Sequence, residues 1–496
     1  MFAVVAAGCG LVDEPATAPL ITTPPAGPAE TSATPVVAAE IEQVVCPSSL
    51  DREGVSCGIA TVALDSHTDP DAKTTISITA VPGYDDGFVT PVAVLQGGPG
   101  GASTDMAAWF PQQAFTQVFI DQRGTGFAES DFNCDEFDLV LPTILESGAD
   151  EAATLTGEAF DACAGRFVDN ALLDATTTQN HAADVGAVMA GLGYARWVAY
   201  GVSYGTTIGL ELLRQPPTGL VGVVLDGVYP PDLDVETGVM FSGQASVDAV
   251  AAACASSEIC RSYIDDFSAT LDSLVSRLDA EPLTVDLGAN ETGFGEAISV
   301  RLDGVRLAEF VFLMLYSEAQ IRYLPSLLGA LDDGDPSAAK TLVALGSRIT
   351  AASYSANDEA TYFAVTCHDR LPFADDSVPD ELGAFVAALQ AGPLEESCAA
   401  WDQDEAYEIA GTAVSSDVAA LLLSGSLDPI TPPSYAAAAA ATLSASTQVV
   451  QAGRSHGIWF GNECIASIVQ DFVADPARTL NTECADTPVA INWARP

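Results

Sequence analysis

Residues 199–209 read AYGVSYGTTIG, with a serine held between Gly201 and Gly205 directly after the apolar run Trp197-Val198-Ala199-Tyr200. That run has the length and composition of a short buried strand. A strand that ends in G-x-S-x-G and turns at once into a helix forms a nucleophile elbow, a turn so tight that only glycine fits on either side of the serine. Ser203 then stands at the exposed end of a sheet. A plain glycine-rich turn is the competing reading in a chain with 41 glycines, so the surrounding segments must choose between them.

Outward from the elbow, short β-rich segments alternate with helix-like ones. Thr75 to Val81, Val92 to Leu95, Val118 to Ile120, Trp197 to Tyr200 and Leu220 to Leu225 each end near Gly, Asp or Pro. Between them NHAADVGAVMAGLG, just before the elbow, carries apolar residues at helical spacing. This alternation predicts an α/β fold with a mostly parallel sheet. From 231 to 411 helical periodicity dominates, which predicts a helical cap inserted into the sheet. Strands return at Val418 to Leu423 and Thr447 to Val450, before a terminal helix near Cys464 to Val473. The expected organisation is residues 41–230 and 412–496 as two parts of one core, separated by the 231–411 cap.

A serine nucleophile needs a base, an acid to orient the base, and donors for the oxyanion. The chain has four histidines. His67 precedes the main strands, His181 starts the helix before the elbow, and His368 lies in the insertion. His456, in QAGRSHGIWF after the last strand, is the favoured base because the order Ser, Asp or Glu, His suits a nucleophile elbow. The favoured acid is Asp428 in LLLSGSLDPITPP, directly after a strand, with Asp226 in VVLDGVYPP as its rival. The oxyanion donors are expected from the backbone of Tyr204 and of the glycine loop QGGPGGAS, which holds Gly97, Gly98, Gly100 and Gly101. These glycines do not read as a phosphate loop, because no G-K-[ST] follows them.

Composition narrows the function further. Asp and Glu total 68 against 17 Lys and Arg, a formal net charge of −51 that repels nucleic acid and anionic lipid headgroups. The only lysines are Lys73 and Lys340. The acidic excess is spread along the chain and reads as a solvated surface suited to salty surroundings. Among 11 cysteines, none shows metal-ligand spacing, so no metal or cofactor is expected. Ten fall into sequential pairs able to close local loops: Cys46 with Cys57, Cys134 with Cys163, Cys254 with Cys260, Cys367 with Cys398, and Cys464 with Cys484. That pattern points to an oxidising compartment. The odd one, Cys9, follows MFAVVAAG; residues 1–9 are similar to the end of a bacterial lipoprotein signal, in which that cysteine takes the lipid. Residues 10–40, including EPATAPLITTPPAGPAETSATP, have the composition of an extended tether. No later run reaches the ~20 apolar residues of a membrane span, so lipid on Cys9 is the expected membrane attachment.

Taken together, GGPGG at Gly97 to Gly101, DQRGTG at Asp121 to Gly126, GVSYG at Gly201 to Gly205, LDG at Leu225 to Gly227, SGSLDPITP around Asp428 and SHG at Ser455 to Gly457 resemble the secreted tripeptidyl and prolyl aminopeptidases of the α/β-hydrolase fold. The resemblance runs from about Cys46 to Cys484. It implies Ser203 as nucleophile, Asp428 and His456 as its partners, and Gly98 with Tyr204 as oxyanion donors, while Asp121 to Gly126 shapes the loop beside the site. Gln96 departs from the pattern, since many prolyl aminopeptidases carry His before GGPG. The family's exopeptidases also place cap carboxylates near the substrate's free amine; Glu236, Glu309 and Glu318 are candidates, and the substrate-binding residues stay open. The expected activity is removal of single residues or short peptides from peptide N-termini. A carboxylesterase or lipase with the same three residues is the alternative, and a non-catalytic surface binding protein a further one. Oligomeric state is not legible.

Overall fold

The computed structural model describes residues 36–85, 87–128, 132–373, 383–389, 398–401 and 409–496. Cys9 and the tether up to residue 35 lie outside the described residues, as does the side chain of Glu236.

Nine strands form one sheet among the described residues, in the order β1-β2-β3-β5-β4-β6-β7-β10-β11. They are β1 (Glu40–Val44), β2 (Ser56–Asp65), β3 (Asp69–Val81), β4 (Val92–Leu95), β5 (Gln117–Ile120), β6 (Trp197–Val202), β7 (Leu220–Asp226), β10 (Ala419–Gly425) and β11 (Ser446–Gln451). The run from β5 to β11 is parallel, and β1, β2 and β3 add an antiparallel edge. The first two strands escape the sequence reading. In β1, EIEQV is exposed or half-exposed throughout, so it has no apolar period to detect.

Alternate side chains of one strand feed two cores, as the pleat requires. Trp197 and Ala199 of β6 join Val185, Val188, Ile208 and Leu212 of the helices Thr178–Gly191 and Tyr204–Arg214 on one face. Val198, Tyr200 and Val202 join Phe110 and the helix Glu463–Ala474 on the other. With both faces covered, the parallel strands are buried throughout; all six residues of β6 are.

Between β7 and β10 the chain leaves the sheet and builds a third core. Helix Gly304–Leu315 is typical: Asp303 caps it by accepting the Arg306 N–H at 3.0 Å, and Leu307, Phe310, Val311 and Met314 form its buried stripe. The block is not wholly helical, because β8 (Leu283–Leu287) and β9 (Ile298–Leu302) pair as an antiparallel hairpin within it. A second difference concerns the helices Asp135–Glu146 and Ala149–Ala164, which fall within 41–230. Leu145 joins the insertion's core, and Phe137, Leu141 and Cys163 pack with Ala360, Phe363 and Trp401. Sequence periodicity marks these residues as helical but does not say which core they enter.

All five expected disulfides are present: Cys46–Cys57, Cys134–Cys163, Cys254–Cys260, Cys367–Cys398 and Cys464–Cys484. No described helix is long and apolar enough to cross a membrane.

Candidate active site

Ser203 sits between the end of β6 and the helix Tyr204–Arg214, with φ 56° and ψ −127°. Few non-glycine residues tolerate such angles, and the neighbours show why the turn persists. A Cβ on Gly201 would lie 2.1 Å from the Gly205 carbonyl oxygen, and one on Gly205 would lie 2.3 Å from the Leu95 carbonyl oxygen. The two glycines let three pieces of backbone close in on the serine. The Ser203 N–H donates to the Asp226 carbonyl at 3.0 Å, which ties the elbow to the end of β7.

His456 and Asp428 come together at the same edge of the sheet. His456 Nδ1 donates to Asp428 Oδ2 at 2.9 Å. The carboxylate is held from its other side: Oδ1 accepts the N–H groups of Ile430 and Thr431 at 3.0 and 2.8 Å, and Oδ2 accepts the Thr431 hydroxyl at 2.8 Å. The imidazole packs on Gly227, where a Cβ would meet its Cε1 at 3.1 Å. Gly227 follows Asp226, whose carbonyl accepts the Ser203 N–H, so serine and imidazole occupy neighbouring strand ends. Burial disfavours the imidazolium, but the charge and hydrogen bond of Asp428, helped by the charge of Asp226, outweigh it and hold the His456 pKa above the ordinary imidazole value.

Asp226, the rival acid, has a different task. Its carboxylate accepts the N–H groups of Ile458 and Trp459 at 2.9 and 3.0 Å and the Tyr200 hydroxyl at 3.2 Å. It anchors the loop that follows His456. Burial raises its pKa to about 6, against the pull of those N–H donors.

The other histidines are placed elsewhere. His181 is buried under the elbow helix, with Nδ1 3.1 Å from the Tyr204 hydroxyl and Nε2 accepting the Arg123 N–H at 3.3 Å. Burial and the Arg123 charge push its pKa down to about 3, so it stays neutral. His368 Nδ1 lies 2.7 Å from Asp369 in the insertion, and His67 lies on the turn between β2 and β3.

The glycine loop closes over the elbow from the end of β4. A Cβ on Gly97 would stand 2.7 Å from Ser203 Cβ and 3.2 Å from its Oγ, so this loop is flush with Ser203. Gly98 follows at φ 106°. Tyr204 opens the elbow helix, where an N–H has no carbonyl one turn back to meet. Gln96, the departure from the family pattern, turns its side-chain oxygen to the Gly97 N–H at 3.1 Å.

The structure shows how the segment from Asp121 to Gly126 shapes the loop beside the site, and it adds a contact from the insertion. Gln122 clamps the glycine loop: its Oε1 accepts the Gly100 N–H at 2.9 Å, and its Nε2 donates to the carbonyls of Gly97, Gln96 and Gly101 at 2.9, 3.2 and 3.2 Å. Arg123, fully buried, pairs with Asp184 at 2.7 Å and donates to the carbonyls of Ala63 and Ala175 at 2.9 and 2.6 Å. DQRGTG therefore shapes the loop through its side chains, a task no local signal encodes. Tyr316 of the insertion sets its ring edge-on to His456 at 5.2 Å. Of the amine-binding candidates, Glu309 pairs with Arg306 at 2.6 Å, and Glu318 accepts the Ser455 N–H at 2.5 Å beside Arg454.

The family model described as "alpha/beta hydrolase fold" matches residues 90–284, and the one described as "TAP-like protein" matches residues 385–484. The proline iminopeptidase of Neisseria gonorrhoeae is 30% identical over 140 residues, 28% of this chain and 33% of that protein. A probable proline iminopeptidase of Streptomyces coelicolor is 28% identical over 139 residues, 28% of this chain and 32% of its own length. The chain thus spans about a third of the curated relatives it matches. Among solved structures, the proline iminopeptidase of Mycobacterium smegmatis is similar at 16% identity and a TM-score of 0.40, covering 84% of this chain and 98% of that one.

Proposed function

We propose that this chain, an α/β-hydrolase by the family models it matches, is an extracytoplasmic serine exopeptidase of the prolyl and tripeptidyl aminopeptidase type that frees single residues or short peptides from peptide N-termini. The observation that supports this reading is the hydrogen-bonded Asp428–His456 pair, whose imidazole packs on Gly227, one residue after the Asp226 carbonyl that accepts the Ser203 N–H. His456 takes the Ser203 proton as the hydroxyl attacks the scissile carbonyl. The N–H groups of Gly98 and Tyr204 stabilise the tetrahedral oxyanion. His456 then gives its proton to the departing amine, and water repeats the sequence on the acyl-enzyme. Asp428 fixes the ring so that Nε2 is the atom free to accept.

The five disulfides support a location outside the cytoplasm, and lipid on Cys9 is the proposed attachment. The test of activity compares aminoacyl and tripeptidyl amides with their N-acetylated forms and with simple esters. An exopeptidase loses most of its rate when the amine is blocked. Equal turnover of blocked and free amides, or preference for the esters, replaces this reading with the esterase one. Failure of a fluorophosphonate to label Ser203 removes the catalytic reading altogether.

A further inference from the structure

Four of the five tryptophans are buried, whereas Trp109 leaves 57 % of its surface open. It does not stand alone. Its ring centroid lies 5.4 Å from that of Phe460, which in turn packs edge-on against buried Phe110 at 5.4 Å. The Phe460 ring also presses on Gly457, the residue after His456: a Cβ there would lie 2.6 Å from Phe460 Cε2. The shelf is rigid, because Arg454 donates to the Phe460 carbonyl at 2.8 Å and Asp226 holds the N–H groups of Ile458 and Trp459. A preformed aromatic surface therefore begins one residue from the proposed base.

We propose that Trp109 and Phe460 form a subsite for the peptide that departs, taking an aromatic or large apolar side chain just beyond the scissile bond. The proposal rests on the exopeptidase reading. In that reaction the departing nitrogen must lie within hydrogen-bond reach of His456, because His456 protonates it. One residue spans at most ~3.3–3.6 Å, so the first side chains of the leaving peptide emerge beside Gly457, against which the Phe460 ring and then Trp109 are packed. Tyr316 covers His456 from the insertion, while Trp109 belongs to the core, following the helix Ser103–Ala107. Aromatic pairing and apolar burial here discriminate by about tenfold.

The experiment uses full-length protein and peptides that share one acyl part and differ only in the residue after the scissile bond, Phe against Gly. The wild type should prefer Phe by about tenfold in kcat/KM. In Trp109→Ala that ratio should fall toward one, and Trp109→Phe should restore most of it. The loss should fall on acylation and not on breakdown of the acyl-enzyme, since the leaving peptide is gone by then. A Phe preference that persists in Trp109→Ala, or an equal loss on both peptides, overturns the subsite while leaving the exopeptidase reading intact. Absence of both amide cleavage and Ser203 labelling overturns the two together.

Discussion

Asp428→Asn tests the site where its geometry is most constrained. Oδ1 accepts two backbone N–H groups, from Ile430 and Thr431, so the amide oxygen of asparagine must stay there and the new NH₂ must replace Oδ2. That NH₂ then faces His456 Nδ1, 2.9 Å away, and donates to it. The neutral ring is driven to carry its proton on Nε2, the atom that should accept from Ser203. Restoring the productive tautomer forfeits a charged hydrogen bond of roughly 1.5–3 kcal/mol and opposes two donors at a cost of roughly 1–3 kcal/mol. Their sum, about 2.5–6 kcal/mol, is a rate loss of ~10²–10⁴. The pH profile supplies a second readout. His456 must be neutral to act, and its pKa is raised in the wild type; activity should therefore fall with an acid limb above the ordinary value of about 6.5. Removing the Asp428 charge should move that limb to lower pH. Amide hydrolysis followed from pH 5 to 9 measures both. A variant within tenfold of wild type at pH 8, or one whose acid limb does not move, refutes the reasoning.

Ser203→Gly should abolish fluorophosphonate labelling yet raise stability by roughly 1 kcal/mol, since glycine relieves the strained φ and repays only part of that in chain entropy; Ser203→Ala keeps the strain, so equal melting temperatures for the two variants would count against it. Gln122→Ala leaves the glycine loop without its clamp and should lower kcat by roughly 10–10² through misplacement of the oxyanion donors, with KM less affected; steady-state kinetics check this, and an unchanged kcat contradicts it. Glu359 has one buried oxygen with no hydrogen-bond partner among the described residues, and burial raises its pKa to about 7 against the Cys134 N–H. A raised folded pKa contributes stability that is complete below the unfolded value and lost as pH rises through 7. Glu359→Gln should flatten that loss, by roughly 1–3 kcal/mol between pH 5 and 8; parallel melting curves for the two proteins would reject it.

What the sequence showed about this site was local. Gly201 and Gly205 are legible because a single tight turn demands them, and His456 because few histidines follow the last strand. Asp428 could be preferred over Asp226 only through strand order, and the structure separates them by partner: one on the imidazole, the other on the loop beyond it. The clamp of Gln122 on Gly97 and the ring of Tyr316 on His456 join residues 25 and 140 positions apart, and no periodicity records such meetings. The β8–β9 hairpin was lost for another reason. LTVDL and ISVRL do alternate, but each has five residues and sits among long helices whose period dominates any wide window.

The insertion touches four of the loops around the candidate site and the start of one helix beneath it. Asp358 N–H donates to the Gly100 carbonyl at 2.9 Å, and the Thr361 hydroxyl to the Arg123 carbonyl at 2.9 Å. Ser246 donates to the Leu427 carbonyl at 2.6 Å, one residue before Asp428, and Glu318 holds the N–H of Ser455, one residue before His456. Asp369 accepts the Thr178 N–H at 2.7 Å at the start of the helix whose His181 meets the Tyr204 hydroxyl. Strain at a nucleophile persists only where its surroundings over-determine it, and here those surroundings belong as much to the insertion as to the sheet. A cap anchored at five separate points is part of the frame that holds the site. Substrate entry that required the whole insertion to swing away would have to break all five, so access is expected around its edges.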